Sequence, residues 1–143
     1  KLLLLLAAVV CISTTASAQD KGDWAIMPRI NIYTAWDADT VFGIGAAARY
    51  NVLDQLRLEP ALTLLCHDVH YLFPVADRWN IYPLAGISVN DFGDWSAGIN
   101  LGAGFDYAVA DRWDITAGLK YMIETHKYWS NPLIISVGAS YRF

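Results

Sequence analysis

Three corners of this chain are built alike, and that repeat limits the folds open to it more than any other feature. Tyr107, Val109, Ala110, Asp111, Arg112, Trp113 and Ile115 run through one corner, and Phe73, Val75, Ala76, Asp77, Arg78, Trp79 and Ile81 run through another. A looser copy holds Tyr50, Val52, Leu53, Asp54, Gln55, Leu56 and Leu58. In each, apolar residues stand two and four places before the Asp and two and four places after it. Residues that face each other across a tight turn share one side of a sheet, so these corners predict antiparallel hairpins with a single apolar face.

Between the corners the same two-residue period continues. Eight segments show it, at 24–34, 41–50, 56–66, 69–75, 79–89, 95–109, 113–124 and 133–143. The long sixth segment sets Trp95, Ala97, Ile99, Leu101, Ala103, Phe105, Tyr107 and Val109 against Ser96, Gly98, Asn100, Gly102, Gly104 and Asp106. One face is large and apolar, the other small or charged. In the third segment Cys66 falls on the apolar side, and His67 and Asp68 are expected to form a two-residue hairpin loop to Val69.

Eight strands with both ends on one side of a membrane need three turns on that side and four loops on the other. The Asp-centred corners fall at the second-to-third, fourth-to-fifth and sixth-to-seventh connections, where those turns belong. The expected fold is therefore all-β: an eight-stranded antiparallel up-and-down transmembrane barrel, with both termini on the periplasmic side. Aromatic side chains gather at both strand ends, as membrane interfaces favour. Trp24, Tyr50, Phe73, Trp79, Tyr107 and Trp113 lie at the turn end, and Trp95 and Trp129 at the loop end. Prolines 28, 60, 74 and 83 oppose this scheme, because a closed barrel has no free edge for a residue without an amide hydrogen.

Residues 1–18 read as a secretory signal peptide, an apolar run after Lys1 ending in Ala16, Ser17 and Ala18, with cleavage before Gln19. About twenty apolar residues are needed to cross a bilayer as a helix, and this run is shorter. Residues 19–143 then form one domain. Of the two cysteines only Cys66 survives cleavage, which excludes an internal disulfide. Fourteen acidic residues against ten Lys and Arg argue against a nucleic-acid partner.

The last strand, with Ile135, Val137, Ala139 and Tyr141 alternating before a terminal Phe143, resembles the carboxy-terminal signal by which outer-membrane β-barrels are received by their assembly machinery. The run Ile81, Tyr82, Pro83, Leu84, Ala85, Gly86, Ile87 is similar to a strand of the eight-stranded group typified by the transmembrane domain of OmpA and by OmpX, a porin-like family. The resemblance implies a monomer in the outer membrane of a Gram-negative cell. Its partners would be outer-membrane lipids, lipopolysaccharide and, during biogenesis, the assembly machinery.

The polar face carries Arg29, Arg49, Arg57, Glu59, Asp106, Lys120, Glu124 and Arg142. Eight strands leave an interior wide enough only for side chains, and charges shut away from water need partners. A charge network that fills the lumen is expected, with no open pore and no cofactor. His126, Ser130 and Glu124 bring to mind the lipid A deacylases of this barrel size, but their spacing departs from the close His-x-Ser of those enzymes, and no enzyme is expected. His67, Asp68 and His70 are too few for a metal site and are expected at a solvated hairpin tip. The alternatives are a lipid A-modifying hydrolase and a soluble lipocalin-like carrier, in which the apolar face would turn inward.

Overall fold

The computed structural model describes residues 20–36, 38–62, 65–91, 95–125 and 131–143. The expected signal peptide, His126, Trp129 and Ser130 lie outside the described residues. The strands are β1 (Trp24–Ala35), β2 (Ala38–Leu53), β3 (Leu56–Ala61), β4 (Leu65–Tyr71), β5 (Phe73–Ala76), β6 (Trp79–Asp91), β7 (Trp95–Ala110), β8 (Trp113–Glu124) and β9 (Leu133–Arg142). Among the described residues there is no helix. Strands β4 and β5 lie end to end as one stave, broken at Leu72, since both pair with β6. Each neighbour in sequence is a neighbour in the sheet, β9 pairs with β1, and the β4–β6 pairing closes the ring. All pairings are antiparallel, so the chain is an up-and-down barrel of eight staves, as its alternation predicts.

Closure turns the two-residue period into an inside and an outside. Along β7 the burial alternates residue by residue, with Trp95, Ile99 and Leu101 outward and Ser96, Asn100 and Asp106 inward. Leu62, Leu101 and Ile135 all face out, at 78%, 49% and 38% exposure, while Arg57 is fully buried and Lys120 is 5% exposed. A soluble carrier requires the opposite arrangement. The three Asp-centred corners connect β2 to β3, β5 to β6 and β7 to β8, and each carries a register shift beside it, as a bulge that tightens twist at a hairpin end does.

The corner from β3 to β4 differs from the expectation. The hairpin does not turn at His67 and Asp68; Ala61 pairs with Cys66, Pro60 with His67 and Glu59 with Asp68, so both residues lie within β4. The turn comes earlier, after Leu62, and this reverses the side on which Cys66 lies. Cys66, Asp68 and His70 point inward and His67 outward. The run 61–66 holds no Gly, Asn or Asp to mark a turn; the flanking strands keep their expected faces, and Cys66 changes side because it passes from the strand before the turn to the strand after it. The stave that follows is correspondingly longer than the segment 69–75 read from the sequence.

The prolines sit where the ladder is interrupted. In an antiparallel sheet a residue sends its N–H and C=O to the same side, and its neighbours send theirs to the other. The Phe143 amide bonds the Trp24 carbonyl, so even-numbered residues of β1 address β9, and the β1–β9 pairing skips Pro28. The Leu62 amide bonds the Ala46 carbonyl, so Pro60 addresses β2, where the pairing skips from Ala61 to Leu58. Pro83 falls in the gap between the last β4–β6 pair, His70 with Leu84, and the first β5–β6 pair, Phe73 with Ile81. Pro74 lies past the end of β3, whose last partner in the other stave is Tyr71. A barrel accommodates proline at such gaps without losing a hydrogen bond.

Candidate functional site

Among the described residues, the barrel interior gathers most of the buried charged and polar side chains. Neighbouring staves bring inward residues of distant sequence together, and the centre of the cluster is Glu59 on β3. Its Oε1 accepts from Arg29 Nη1 at 2.7 Å and its Oε2 from Arg49 Nε at 2.8 Å. Arg49 reaches on to Asp106, its Nη1 3.2 Å from Oδ1, and donates to Thr116 Oγ1 at 3.0 Å. The Thr116 hydroxyl donates in turn to the same Asp106 oxygen at 2.8 Å. The other Asp106 oxygen accepts from Arg57 Nη1 at 2.6 Å. Three guanidinium groups thus share two carboxylates, Glu59 and Asp106 each accepting from more than one partner and Arg49 and Arg57 each donating to more than one, the condition under which buried ions are tolerated.

Arg57 also directs Nε and Nη2 at His70 Nδ1, at 3.2 and 2.9 Å, so that nitrogen accepts. The His70 ring stacks on Tyr82 with centroids 4.5 Å apart, and the Arg57 guanidinium lies 4.8 Å above the same Tyr82 ring. A delocalised cation on an aromatic face recovers part of the solvation it lost on burial. Two smaller groups flank this cluster. Lys120 Nζ donates to Asp68 Oδ2 at 2.8 Å, Asn100 Nδ2 to Asp68 Oδ1 at 2.9 Å, and Ser88 Oγ stands 3.1 Å from Asn100 Oδ1. Arg142 meets Asp114 at 3.2 Å through Nη2 and Nε.

Beside the charges is an inward apolar layer made of Met27, Ala47, Ala61, Cys66, Met122 and Ile134, with Tyr33 packed against it. Met122 Sδ lies 2.9 Å from Ser88 Oγ, which joins this layer to the polar one. Across the interior, then, a layer of bonded ions and a layer of packed aliphatic groups lie next to each other.

Of the interior charges read from the sequence, Arg29, Arg49, Arg57, Glu59, Asp106, Lys120 and Arg142 stand in these groups. Glu124 is half-buried near the end of β8, where its amide donates to Asn131 Oδ1 at 3.0 Å. Sequence reading missed Asp68, which the displaced turn placed in a loop, and His70, which it set at a solvated hairpin tip although the residue lies within the segment 69–75, and it missed Asp114, which follows an Asp-centred corner. Period-two counting back from Thr116 reaches Asp114 directly. Glu59, Asp68 and His70 have ligand atoms within 4.8 Å of one another. Each is already bonded to Arg29 and Arg49, to Lys120 or to Arg57, and cations so close oppose a divalent ion. The cluster weighed from sequence is split, with His67 outside the barrel.

On the exterior, the turn-end aromatics form cross-strand pairs. Trp24 and Tyr50 are register partners with ring centroids 4.6 Å apart, as are Trp79 and Tyr107 at 4.6 Å and Trp113 and Tyr141 at 5.0 Å. Phe73 meets Tyr71 at 4.7 Å, Phe143 meets the edge of Tyr141 at 5.4 Å, and Trp95 is exposed at the other strand end.

A closed ring of eight antiparallel staves, greasy outside and charged within, defines the small transmembrane type of β-barrel. The chain has the fold of the solved eight-stranded outer-membrane barrels. The N-terminal β-barrel domain of Pseudomonas aeruginosa OprF superposes with a TM-score of 0.69 at 18% identity, over 87% of this chain and 100% of that one. Outer Membrane Protein W of E. coli does so at 0.63 and 14% identity, over 88% and 100%. A de novo designed transmembrane β-barrel matches at 0.66 and 17% identity, over 87% and 98%. No family model and no curated protein matches the sequence.

Proposed function

We propose that this chain is an integral outer-membrane barrel of a Gram-negative bacterium, with a structural or surface-interaction role and no catalytic one, and that its lumen is occluded. The observation that supports the reading is the pairing of an apolar exterior with an interior that holds the Glu59–Asp106 ion network and the Met27–Met122 layer. Backbone groups satisfied by a closed ring and large side chains aimed outward suit hydrocarbon. An ion crossing such an interior must displace buried guanidinium groups from their carboxylates and then pass a packed aliphatic layer. Trp24, Tyr50, Trp79, Tyr107, Trp113 and Tyr141 would mark the interface on the turn side, which we assign to the periplasm together with both termini. Tyr141 and Phe143 would be read by the assembly machinery, and lipid and lipopolysaccharide would surround the outer face.

Two measurements test this. Outer-membrane fractionation with heat-modifiable migration in detergent gels is expected, and recovery as a soluble periplasmic protein would reject the membrane assignment. Purified protein in planar bilayers is expected to give no conductance above background; reproducible unitary steps would reject the occluded lumen while leaving the membrane assignment intact.

A further inference from the structure

The buried ions around Glu59 do not sum to zero. Among the described residues Arg29, Arg49 and Arg57 are ion-paired with Glu59 and Asp106, so three positive charges share two negative ones. The flanking pairs do not correct this, since Lys120 with Asp68 and Arg142 with Asp114 are each balanced. A guanidinium does not shed its proton as a buried lysine can, and so the excess of one stays. All five residues are buried, and a charge left unmatched away from water is costly.

Hydrogen bonding leaves the same group one-sided. Arg49 Nη2, His70 Nε2 and Arg29 Nε are buried and have no hydrogen-bond partner among the described residues. All three are donors. His70 is one because Arg57 aims Nε and Nη2 at its Nδ1, which must accept, so the ring proton stands on Nε2. The three side chains meet at one carboxylate: Glu59 Oε2 is 2.8 Å from Arg49 Nε and 3.8 Å from His70 Nδ1, and Glu59 Oε1 is 2.7 Å from Arg29 Nη1. Every oxygen of Glu59 and Asp106 already accepts a hydrogen bond.

We propose that this part of the interior binds a small monovalent anion, a halide in size and charge, which accepts from Arg49 Nη2 and His70 Nε2. One negative charge cancels the excess, and an ion that only accepts suits a site that only donates. Water would satisfy the N–H groups and leave the charge. A divalent oxyanion carries more charge than the site lacks, and the cations that oppose a divalent metal here favour an anion.

The inference rests on the occluded lumen proposed above, because only a closed interior keeps the excess charge from solvent. The protein is refolded in detergent in sodium bromide and crystallised, and the bromine anomalous signal is mapped. A peak within hydrogen-bond reach of Arg49 and His70 is expected. No peak there, or peaks at the exposed Arg78 and Arg112 alone, overturns the inference and leaves the occluded lumen to the conductance measurement. In solution, urea unfolding is compared in sodium chloride and sodium gluconate at equal ionic strength, so that general screening is the same. Chloride is expected to raise the folded-to-unfolded ratio about tenfold, as mass action gives for a ligand at about ten times its Kd. Arg49→Met leaves Arg29 with Glu59 and Arg57 with Asp106, a balanced set, and His70→Phe keeps a ring to stack on Tyr82 without the donor. Both variants are expected to unfold alike in the two salts. Equal stability of the parent in both salts, or a chloride effect that survives in both variants, also overturns the inference. If neither variant folds, the bromide map and the salt response of the parent decide.

Discussion

Arg57 Nη1 and Asp106 Oδ2 lie 2.6 Å apart although the two residues are separated by 49 positions, and both side chains are almost fully buried. The pair spans the barrel interior from β3 to β7. Removing one partner leaves the other charge buried without its strongest contact, which costs about 3–5 kcal/mol. Arg57→Met is therefore expected to lower unfolding free energy in lipid by that amount. Arg57→Met with Asp106→Leu is expected to lose less than the two single changes together, as read from urea unfolding of all four proteins. Additive losses would show that the pair is not coupled.

Two inward glycines on facing strands make opposite predictions. A Cβ at Gly102 would collide with the Leu119 carbonyl oxygen and come within 2.9 Å of Lys120 Cα, both backbone, so β7 and β8 would have to separate. At Gly118 the nearest atom is 3.7 Å away, ordinary contact. Gly102→Ala is expected to cost about 1–3 kcal/mol. Gly118→Ala is expected to be neutral or slightly stabilising, because alanine loses less backbone entropy on folding. Equal effects at the two sites, in the same unfolding assay, would contradict this geometry.

Leu101 and Leu119 face outward in the middle of β7 and β8. Leu101→Arg is expected to destabilise the lipid-embedded barrel by about 2–4 kcal/mol, and Ile115→Arg, nearer the Trp113 ring, by less. Refolding titrations into phosphatidylcholine vesicles give both values. A larger loss at Ile115 would move the apolar band towards the turns.

Phe143 closes the β1–β9 seam through its amide bond to the Trp24 carbonyl at 2.9 Å, while its ring rests on the Tyr141 edge. Phe143→Ala keeps the backbone bond. The variant is expected to refold in detergent like the parent yet to accumulate less in the outer membrane of cells, by quantitative blotting of fractions. An equal loss of refolding in detergent would make Phe143 a packing residue instead of an assembly signal.

The alternation along Trp95–Ala110 and Trp113–Glu124, together with the three Asp-centred corners, was enough by itself to give eight staves, their order and the direction of nearly every side chain. Side-chain direction in a strand has a period of two and needs no knowledge of the neighbours, so local sequence carries it. It failed at residues 61–68, because a turn without Gly, Asn or Asp leaves no local mark, and placing the turn four residues too late hid Asp68 and His70. Only the tertiary structure decided which charges meet. Glu59 with Arg29 and Arg49, Asp106 with Arg57, and Lys120 with Asp68 depend on stagger between staves far apart in sequence.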